Sequence, residues 1–244
     1  MSEATYNDRL FKRGLRSFFH LARFRWLELM LNRYEPSVDL VLELGCFDAR
    51  SLDYMTSKPK KYIGFDANWE GGIDLARPKY KEDSSIIFYE CTQPEDFKLS
   101  DDQIATCLIS LETLEHLPEK DVASYLEEMS KIVNGYYSIT VPNEKGLIFF
   151  AKHVMKFLLY RSSENYSMRE IFWATFGQLD KVERNEHKGI DYSVLYKNLC
   201  FYLDPIEVVG IPFKRLPCSM NTQVGFVFKS KISRKLIKVD AMCD

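Results

Sequence analysis

Residues 41–50 read Val41-Leu42-Glu43-Leu44-Gly45-Cys46-Phe47-Asp48-Ala49-Arg50, and this stretch decides the fold. A short apolar run that ends in a glycine is the pattern of a buried strand entering a turn. Similar apolar runs recur at residues 62–65, 86–89, 106–110, 136–141, 206–209 and 223–228. Helical patterns separate the earlier runs, which predicts βαβ units and a mostly parallel sheet with helices on both faces. A turn-rich connection joins the last two runs, so we expect a seven-stranded, doubly wound α/β sheet with an antiparallel last strand.

The start of the chain and one internal segment depart from this rhythm. Residues 8–34 carry apolar side chains at helical spacing, so we assign residues 1–36 to an N-terminal helix and residues 37–244 to the main domain. Residues 147–185 are dense in apolar and aromatic side chains and form a segment too long for an ordinary loop. We predict that this segment is an inserted helical hairpin that forms a cap or lid.

The composition excludes several classes of protein. The 244 residues include 33 Lys and Arg against 35 Asp and Glu, so the net charge of −2 leaves no basic footprint for nucleic acid. No apolar stretch reaches the roughly 18 residues of a membrane span, and the six cysteines form no CxxC pair. We therefore expect a cytoplasmic protein in a reducing compartment, without nucleic acid as a partner. No histidine or carboxylate spacing indicates a metal site.

Basic residues near both ends raise the question of a membrane surface. Lys and Arg recur within residues 12–25 and 229–238, and each contributes about 1 kcal/mol near an anionic surface. A solvated charged face beside a packed apolar stripe explains the same pattern, and we favour that interpretation. The sequence leaves the oligomeric state open.

Two residues near the predicted turn carry the first chemical signal. Ligands in an open parallel sheet bind beyond the carboxyl ends of the strands, where the strand order reverses. Gly45 after the first strand allows a ligand to approach the backbone closely. Asp66 ends the second strand, where its carboxylate can accept hydrogen bonds from both hydroxyls of a ribose. Together they indicate a ligand that carries a ribose.

The chain from about Val41 to Phe228 resembles the class I S-adenosylmethionine-dependent methyltransferases, and among them the type-11 and type-23 small-molecule domains. The first motif of that family reads roughly V-L-[DE]-L-G-C-G-x-G. This chain matches it up to Cys46 and then has Phe47 and Ala49 in place of glycines. The resemblance implies a Rossmann-like fold, S-adenosylmethionine as the cofactor, and methyl transfer as the reaction.

Two further blocks carry the resemblance. Residues 108–117 are similar to the fourth-strand signature of the family, which ends in L-E-H, and residues 137–143 are similar to its fifth strand, which ends in V-P-N. The acid that usually follows the third strand, where it meets the adenine amino group, falls near Cys91 and Thr92. The Phe-Asp that usually opens the fourth strand is also missing, at residues 104–105.

The resemblance implies a role for individual residues around the cofactor. Gly45 would lie under its methionyl part, Glu43 near its amino group and Asp66 on its ribose. The residues implied to bind the cofactor are Glu43, Gly45, Cys46, Phe47, Asp48, Asp66, Ala67, Cys91, Thr92, Leu111 and Glu112.

A general base would help if the acceptor is a hydroxyl, whose pKa lies far above neutrality. We predict either His116, which follows the fourth strand, or His187, at the junction of the insertion and the last helix. We favour His116, because residues at strand ends are held rigidly. Either histidine could instead be a hydrogen-bonded structural residue, and an amine acceptor that binds in its neutral form would need no base.

The nature of the acceptor stays open between classes. Residues 187–192, with the letters H-K-G-I-D-Y, resemble a stretch of methyltransferases from bacterial surface-glycan gene clusters, so the best candidate is a hydroxyl or amine of a sugar. One alternative is a quinone or another lipid-pathway acceptor, for which the aromatic insertion would be the pocket. A second is a catalytically inactive scaffold, of which Phe47 and Ala49 would be the first sign. A nicotinamide-dependent dehydrogenase is disfavoured, because G-x-G-x-x-G does not occur at the first turn.

Overall fold

Seven strands build one sheet in the computed structural model of the protein, which describes residues 15–36, 38–100, 103–160, 166–185 and 188–231. The strands are β1 (Leu40–Leu44), β2 (Lys61–Asp66), β3 (Ile86–Glu90), β4 (Ala105–Leu111), β5 (Val133–Pro142), β6 (Leu203–Ile211) and β7 (Gln223–Ser230). Their spatial order is β3-β2-β1-β4-β5-β7-β6. Neighbours among β1 to β5 are parallel, whereas β7 is antiparallel to both β5 and β6. The predicted mostly parallel sheet with an antiparallel last strand is confirmed.

Helices follow the predicted pattern in the described ranges. They are α1 (Leu15–Tyr34), α2 (Ser51–Tyr54), α3 (Gly72–Tyr80), α4 (Glu119–Ile132), α5 (Gly146–Tyr160), α6 (Met168–Thr175) and α7 (Tyr192–Tyr202). The helix expected over residues 8–34 is present from Leu15 onward, and residues 8–14 lie outside the described residues. None of the helices within these ranges is long and apolar enough to cross a membrane.

The strand order reverses between β1 and β4. The chain leaves β1 toward β2 and β3 at one edge, and then crosses back to place β4 on the other side of β1. In open α/β sheets the crevice at such a reversal, outside the carboxyl ends of the strands, is the ligand site. The turn after β1 and the loop after β4 therefore line the candidate site.

Each face of the sheet is covered by a separate apolar cluster. On one face, α4 and α7 bury side chains such as Leu126 and Leu199 against the strands. On the other face, α1, α2 and α3 bury Trp26, Leu52 and Ile73. Each large apolar side chain buried in this way stabilises the fold by about 1.5–3 kcal/mol. The strands whose carboxyl ends line the candidate site are therefore held by packed helices on both faces of the sheet.

The helix α1 lies across the half of the sheet formed by β5, β7 and β6. An ideal Cβ on Gly225 would be 2.7 Å from indole atoms of Trp26, so the indole packs directly on the backbone of β7. At the end of the helix, Tyr34 Oη donates a hydrogen bond of 2.7 Å to Glu207 Oε2 on β6. These contacts fix α1 against the sheet along its second half.

The insertion has a small core of its own. Its buried apolar members are Phe149, Tyr166, Ile171, Ala174, Leu179 and Val182. The buried carboxylate of Glu144, just after β5, accepts hydrogen bonds from Lys152 Nζ at 2.8 Å and from Tyr166 Oη at 2.6 Å. These charge-assisted bonds connect α5 and the segment before α6 to the carboxyl end of β5.

Candidate active site

The turn after β1 has a backbone conformation that glycine favours at three positions. The φ angles are 76° at Gly45, 47° at Phe47 and 54° at Ala49. Residues with a side chain seldom adopt this left-handed region, which costs roughly 1–2 kcal/mol per residue. Phe47 and Ala49 stand where the resembled motif has glycines, and their backbone keeps the conformation for which those glycines are suited.

Two contacts account for the position of Phe47. Its backbone N–H donates a hydrogen bond of 2.9 Å to Asp66 Oδ2 at the end of β2. Its ring packs on Gly72 at the start of α3, where an ideal Cβ would lie 2.5 Å from the ring atom Cδ2. The aromatic side chain is thus directed onto α3, and the neighbouring turn stays connected to the Asp66 carboxylate.

The position of Gly45 has no room for a side chain, because the loop after β4 packs against it. An ideal Cβ at this position would lie 2.0 Å from Thr113 Oγ1 and 2.7 Å from Thr113 Cβ. The side chain of Thr113 fills the position that a Cβ would take at Gly45. The loop after β4 therefore contacts the turn after β1 directly.

The carboxylate of Asp66 is held at both oxygens by backbone groups. Oδ2 accepts from the N–H of Phe47, and Oδ1 accepts from the N–H of Asn68 at 2.8 Å. Each carboxylate oxygen has a second lone pair, and the residue is partly exposed. The group is therefore oriented and able to accept two further hydrogen bonds, as recognition of a ribose requires.

Glu43 is buried inside the fold. Its Oε2 accepts hydrogen bonds from the hydroxyls of Ser51 and Tyr62. Burial raises the pKa of this carboxyl to about 7, although the two hydrogen bonds oppose the shift. Glu43 is thus poised between its neutral and charged forms near neutral pH.

Other residues that the resemblance implies at the cofactor lie in the turn itself or at the ends of β2 and β4. Cys46 is buried, with its Sγ 2.7 Å from an ideal Cβ on Gly64, and burial raises the pKa of its thiol. Asp48 forms an ion pair with Arg50 at 2.9 Å. Ala67 is partly buried and Leu111 is buried.

The loop after β3 contains the carboxylate of Asp96, which the sequence analysis did not single out. Cys91 is buried and Thr92 is exposed. The backbone N–H groups of Thr92 and Gln93 donate to Asp96 Oδ2 at 3.0 and 3.2 Å, and the Thr92 bond lowers the pKa of Asp96. A signal was present, since Gln93 and Asp96 have capping-box spacing around Pro94.

Side chains from distant parts of the chain meet at the end of β4. The carboxylate of Glu112 forms an ion pair with Arg23 of α1 and accepts a hydrogen bond of 2.5 Å from Gln223 Nε2 of β7. Glu112 was among the residues predicted from the sequence, whereas Arg23 and Gln223 were not. No local pattern marks them, because they lie 89 and 111 positions away.

Of the two predicted general bases, the structure describes one. His116 is exposed in the loop after β4, and its backbone N–H donates to the carbonyl of Thr113 at 2.9 Å. His187 lies outside the described residues. The neighbouring Glu115 is 1% exposed, and burial together with the charge of Glu112 raises its pKa well above the ordinary value. Both causes favour the neutral form of this carboxyl.

Comparison by sequence finds no match for the chain, whereas comparison by structure finds similar proteins. No sequence-family model matches the chain, and no curated protein sequence matches it. The N-methyltransferase NodS from Bradyrhizobium japonicum WM9, in complex with S-adenosyl-L-homocysteine, is 13% identical, with a TM-score of 0.60 over 94% of this chain and 93% of that chain. Magnesium protoporphyrin IX methyltransferase ChlM from Synechocystis PCC 6803, with the same compound bound, is 10% identical, with a TM-score of 0.57 over 91% and 92%.

A third similar structure is the small RNA methyltransferase HEN1, at 13% identity and a TM-score of 0.59. The match covers 95% of this chain but 26% of that larger one. Together with the strand order and the antiparallel β7, these similarities show that the chain has the class I S-adenosylmethionine-dependent methyltransferase fold.

Proposed function

We propose that the protein is an S-adenosylmethionine-dependent methyltransferase that acts on a hydroxyl or amine of a small polar acceptor, with a sugar of a glycan as the best candidate. The observation that carries the proposal is the turn after β1. Gly45, Phe47 and Ala49 all have left-handed backbone there, and the turn is bonded to the Asp66 carboxylate. The residues present fit the cofactor at its ribose and along its methionyl chain.

The described residues divide the work of holding the cofactor. Asp66 accepts hydrogen bonds from the ribose hydroxyls, and Asp96 offers a carboxylate near the expected adenine position. The turn at Gly45, closed on one side by Thr113, lies along the methionyl part. We assign Glu43 to the amino group, as the resemblance implies. When bound, the cofactor supplies an electrophilic sulfonium methyl, so the protein contributes alignment and, for a hydroxyl acceptor, removal of a proton.

The acceptor side is assigned to the loop after β4 and its neighbours. Support comes from the polar groups of Arg23 and Gln223, which meet beside the turn on the carboxylate of Glu112, a residue that the resemblance implies on the cofactor side. His116 and His187 remain proposed bases for a hydroxyl acceptor. The insertion, residues 147–185, together with α1 is proposed to cover the site and exclude water. Its support is the connection of the insertion to Glu144 at the carboxyl edge of the sheet.

Three alternatives are less well supported. A quinone or lipid acceptor would use the exposed apolar side chains of α5, such as Leu147 and Leu158. An RNA acceptor, as in the name of one similar structure, is disfavoured by the net charge of −2. An inactive scaffold loses its first motivation, because Phe47 and Ala49 keep glycine-like backbone.

A cytoplasmic location is proposed with this function, and a membrane-surface role has little support from the basic residues that are described. Lys231 Nζ donates hydrogen bonds to the carbonyls of Cys200 and Phe201 at 2.7 and 3.1 Å. Lys229 Nζ lies 5.5 Å from the centre of the Tyr136 ring. Both lysines are thus engaged within the protein.

The test is transfer of a labelled methyl group from S-adenosylmethionine into fractionated cell lysate, followed by mass spectrometry of the labelled product. We expect one labelled small molecule with the wild-type chain and none with Asp66→Ala. Label in a polynucleotide fraction would contradict the acceptor class. Failure of the wild-type chain to bind S-adenosyl-L-homocysteine would contradict the proposal as a whole.

A further inference from the structure

Four buried polar atoms under α1 have no hydrogen-bond partner among the described residues: Arg23 Nε, Trp26 Nε1, Thr140 Oγ1 and Gln223 Oε1. We call these four residues the polar patch. Trp26, Thr140 and Gln223 are each no more than 4% exposed. An unsatisfied buried donor or acceptor costs about 1–3 kcal/mol, and native folds keep few of them. Several at one place therefore indicate that something else completes their bonding.

The polar patch lies on a single face of the sheet. Thr140 and Gly225 are direct partners across β5 and β7, so their side-chain directions are the same. Gln223 is two residues from Gly225 on β7 and shares that face. The indole of Trp26 packs on Gly225 through Cε2, the atom bonded to Nε1. Arg23 precedes Trp26 by one turn of α1 and lies beside it.

The polar patch adjoins the turn after β1. The carboxylate of Glu112 is bonded to two of its members, and the backbone N–H of Glu112 donates to the carbonyl of Thr140 at 2.9 Å. The next residue, Thr113, contacts Gly45 of the turn. A continuous set of contacts thus connects the turn to the polar patch.

The polar patch offers both kinds of hydrogen-bonding group. Arg23 and Trp26 present N–H donors, Gln223 Oε1 is an acceptor, and the Thr140 hydroxyl can do both. The amide of Gln223 has a fixed orientation, because only its Nε2 can donate to the Glu112 carboxylate. The ion pair with Glu112 balances the charge of Arg23. A neutral group that donates and accepts is the complement.

We propose that the polar patch binds a hydroxyl group of the methyl acceptor. This inference rests on the proposed methyltransferase function and narrows its acceptor to a hydroxyl-bearing molecule such as a saccharide. The carbonyl of a quinone only accepts hydrogen bonds, and it would leave Gln223 Oε1 without a partner. Sites built around a substrate hydroxyl discriminate strongly against analogues that lack it.

The test uses the indole N–H of Trp26 as a reporter in the ¹⁵N-labelled full chain saturated with S-adenosyl-L-homocysteine. The probes are cis-cyclohexane-1,2-diol, which donates and accepts, and cyclohexane-1,4-dione, which only accepts. We expect the diol to shift the Trp26 indole resonance saturably and the dione to bind about tenfold or more weakly. No saturable shift with the diol, or equal affinities for the two probes, would overturn the proposal.

Two variants show whether the shift depends on the polar patch. Thr140→Val keeps the shape and removes a patch hydroxyl, so the diol affinity should fall about three- to tenfold. Ser110→Ala is the matched control, because its Oγ is also buried without a partner among the described residues. Ser110 faces the other side of the sheet, since Ile109 and Leu111 face α1, and its loss should leave the diol affinity unchanged.

The same effect for both variants, or no effect for Thr140→Val, would contradict the proposed subsite. Calorimetry with S-adenosyl-L-homocysteine is performed first. Binding of that compound without a response to the diol refutes this inference alone, whereas its failure to bind refutes the proposed function.

Discussion

The turn after β1 and the polar patch under α1 are neighbours, but they differ in how their polar groups are hydrogen-bonded. In the turn, the N–H groups of Gly45 and Cys46 donate to the carbonyl of Phe65 at 2.7 and 3.1 Å, and that of Phe47 donates to Asp66. In the polar patch, four buried atoms have no partner among the residues that the structure describes.

This difference separates two kinds of recognition. The turn and its acid come from residues 43–66, and hydrogen bonds within this segment already orient both of them. Each oxygen of Asp66 keeps one lone pair for the proposed ribose. The polar patch is assembled from α1, β5 and β7, and its bonding is completed by what binds there. Under the proposed function, specificity for the acceptor depends on the tertiary packing of α1, whereas recognition of the ribose depends on one local segment.

The largest expected effect is the loss of folding stability in Gly45→Ala, which disrupts the turn after β1. The matched control is Gly177→Ala, because both glycines have φ near +75° but an added Cβ at Gly177 meets nothing within 4 Å. Gly177→Ala should lower the free energy of unfolding by about 1–2 kcal/mol from backbone strain alone. Gly45→Ala adds the clash with Thr113 and should cost about 3 kcal/mol or more, since overpacking contributes typically 1–3 kcal/mol.

Urea unfolding measures both costs, and calorimetry with S-adenosyl-L-homocysteine measures binding. We expect Gly45→Ala to lose binding and Gly177→Ala to keep it. Equal unfolding costs for the two variants would contradict the close approach of Thr113 to the turn.

The fold could be predicted from the sequence because its signals are local. Apolar runs such as those at residues 41–44 and 136–141 each report on one strand, and their alternation with helices determines the class of sheet. Gly45 and Asp66 could be singled out for the same reason, since each directly follows or ends such a run. The pattern of one residue and its neighbours was sufficient.

The rest of the site depends on tertiary packing. Arg23 and Gln223 reach Glu112 only because α1 and β7 are placed side by side by the folded sheet. The chemical identities of Phe47 and Ala49 argued against a glycine-like turn, and only the structure shows that their backbone adopts it. His116 was singled out for its place after β4, but the direction of its side chain could not be read from the sequence.

A second prediction tests the proposed lid through Tyr166→Phe. The buried hydroxyl donates to Glu144 Oε2 and accepts from the N–H of Gly189 at 3.0 Å, so the variant loses two hydrogen bonds, which should cost about 1–3 kcal/mol. Hydrogen exchange should speed up within residues 146–185 and stay unchanged in β1 and β4. Methyl transfer should fall while affinity for S-adenosyl-L-homocysteine is kept.

The control for that variant is Tyr80→Phe, whose hydroxyl makes long contacts of 3.4 Å to Ala49 and Asp53, both outside the insertion. It should leave exchange in the insertion unchanged. If Tyr166→Phe keeps full turnover in spite of faster exchange, the insertion is not the cover of the site.

A third prediction concerns pH and Glu43. Its pKa of about 7 in the folded protein lies above the ordinary value of 4.5. The contribution of this group to stability is therefore fully present below pH 4.5 and is lost as the pH rises to about 7, by up to about 1.4 kcal/mol per pH unit. Glu43→Gln keeps the shape and removes the titration, so the difference in unfolding free energy between wild type and variant should follow this slope.

Glu115 also has a raised pKa, but it titrates in both proteins and cancels in that difference. Parallel pH profiles of wild type and Glu43→Gln would show that the carboxyl of Glu43 is not the group that burial perturbs.

The smallest effect is expected for Ala49→Gly. Glycine relieves left-handed strain of about 1–2 kcal/mol, but it adds about 0.5–1 kcal/mol of unfolded-chain entropy and removes one buried methyl worth about 0.8 kcal/mol. The unfolding free energy should change by less than about 1 kcal/mol, with unchanged affinity for S-adenosyl-L-homocysteine. A tenfold loss of affinity would mean that the turn depends on the alanine side chain after all.

The central claim is that the turn and Asp66 recognise the ribose of S-adenosylmethionine. Calorimetry of S-adenosyl-L-homocysteine and of its 2′,3′-dideoxy analogue, against wild type and Asp66→Ala, tests it most directly. We predict that Asp66→Ala weakens binding of the natural compound by about 2–4 kcal/mol. The analogue should bind wild type with a similar loss and bind Asp66→Ala with no further loss, because the variant has already lost the partner of those hydroxyls. Unchanged affinity of Asp66→Ala for S-adenosyl-L-homocysteine, or equal affinity of wild type for both compounds, would contradict the account.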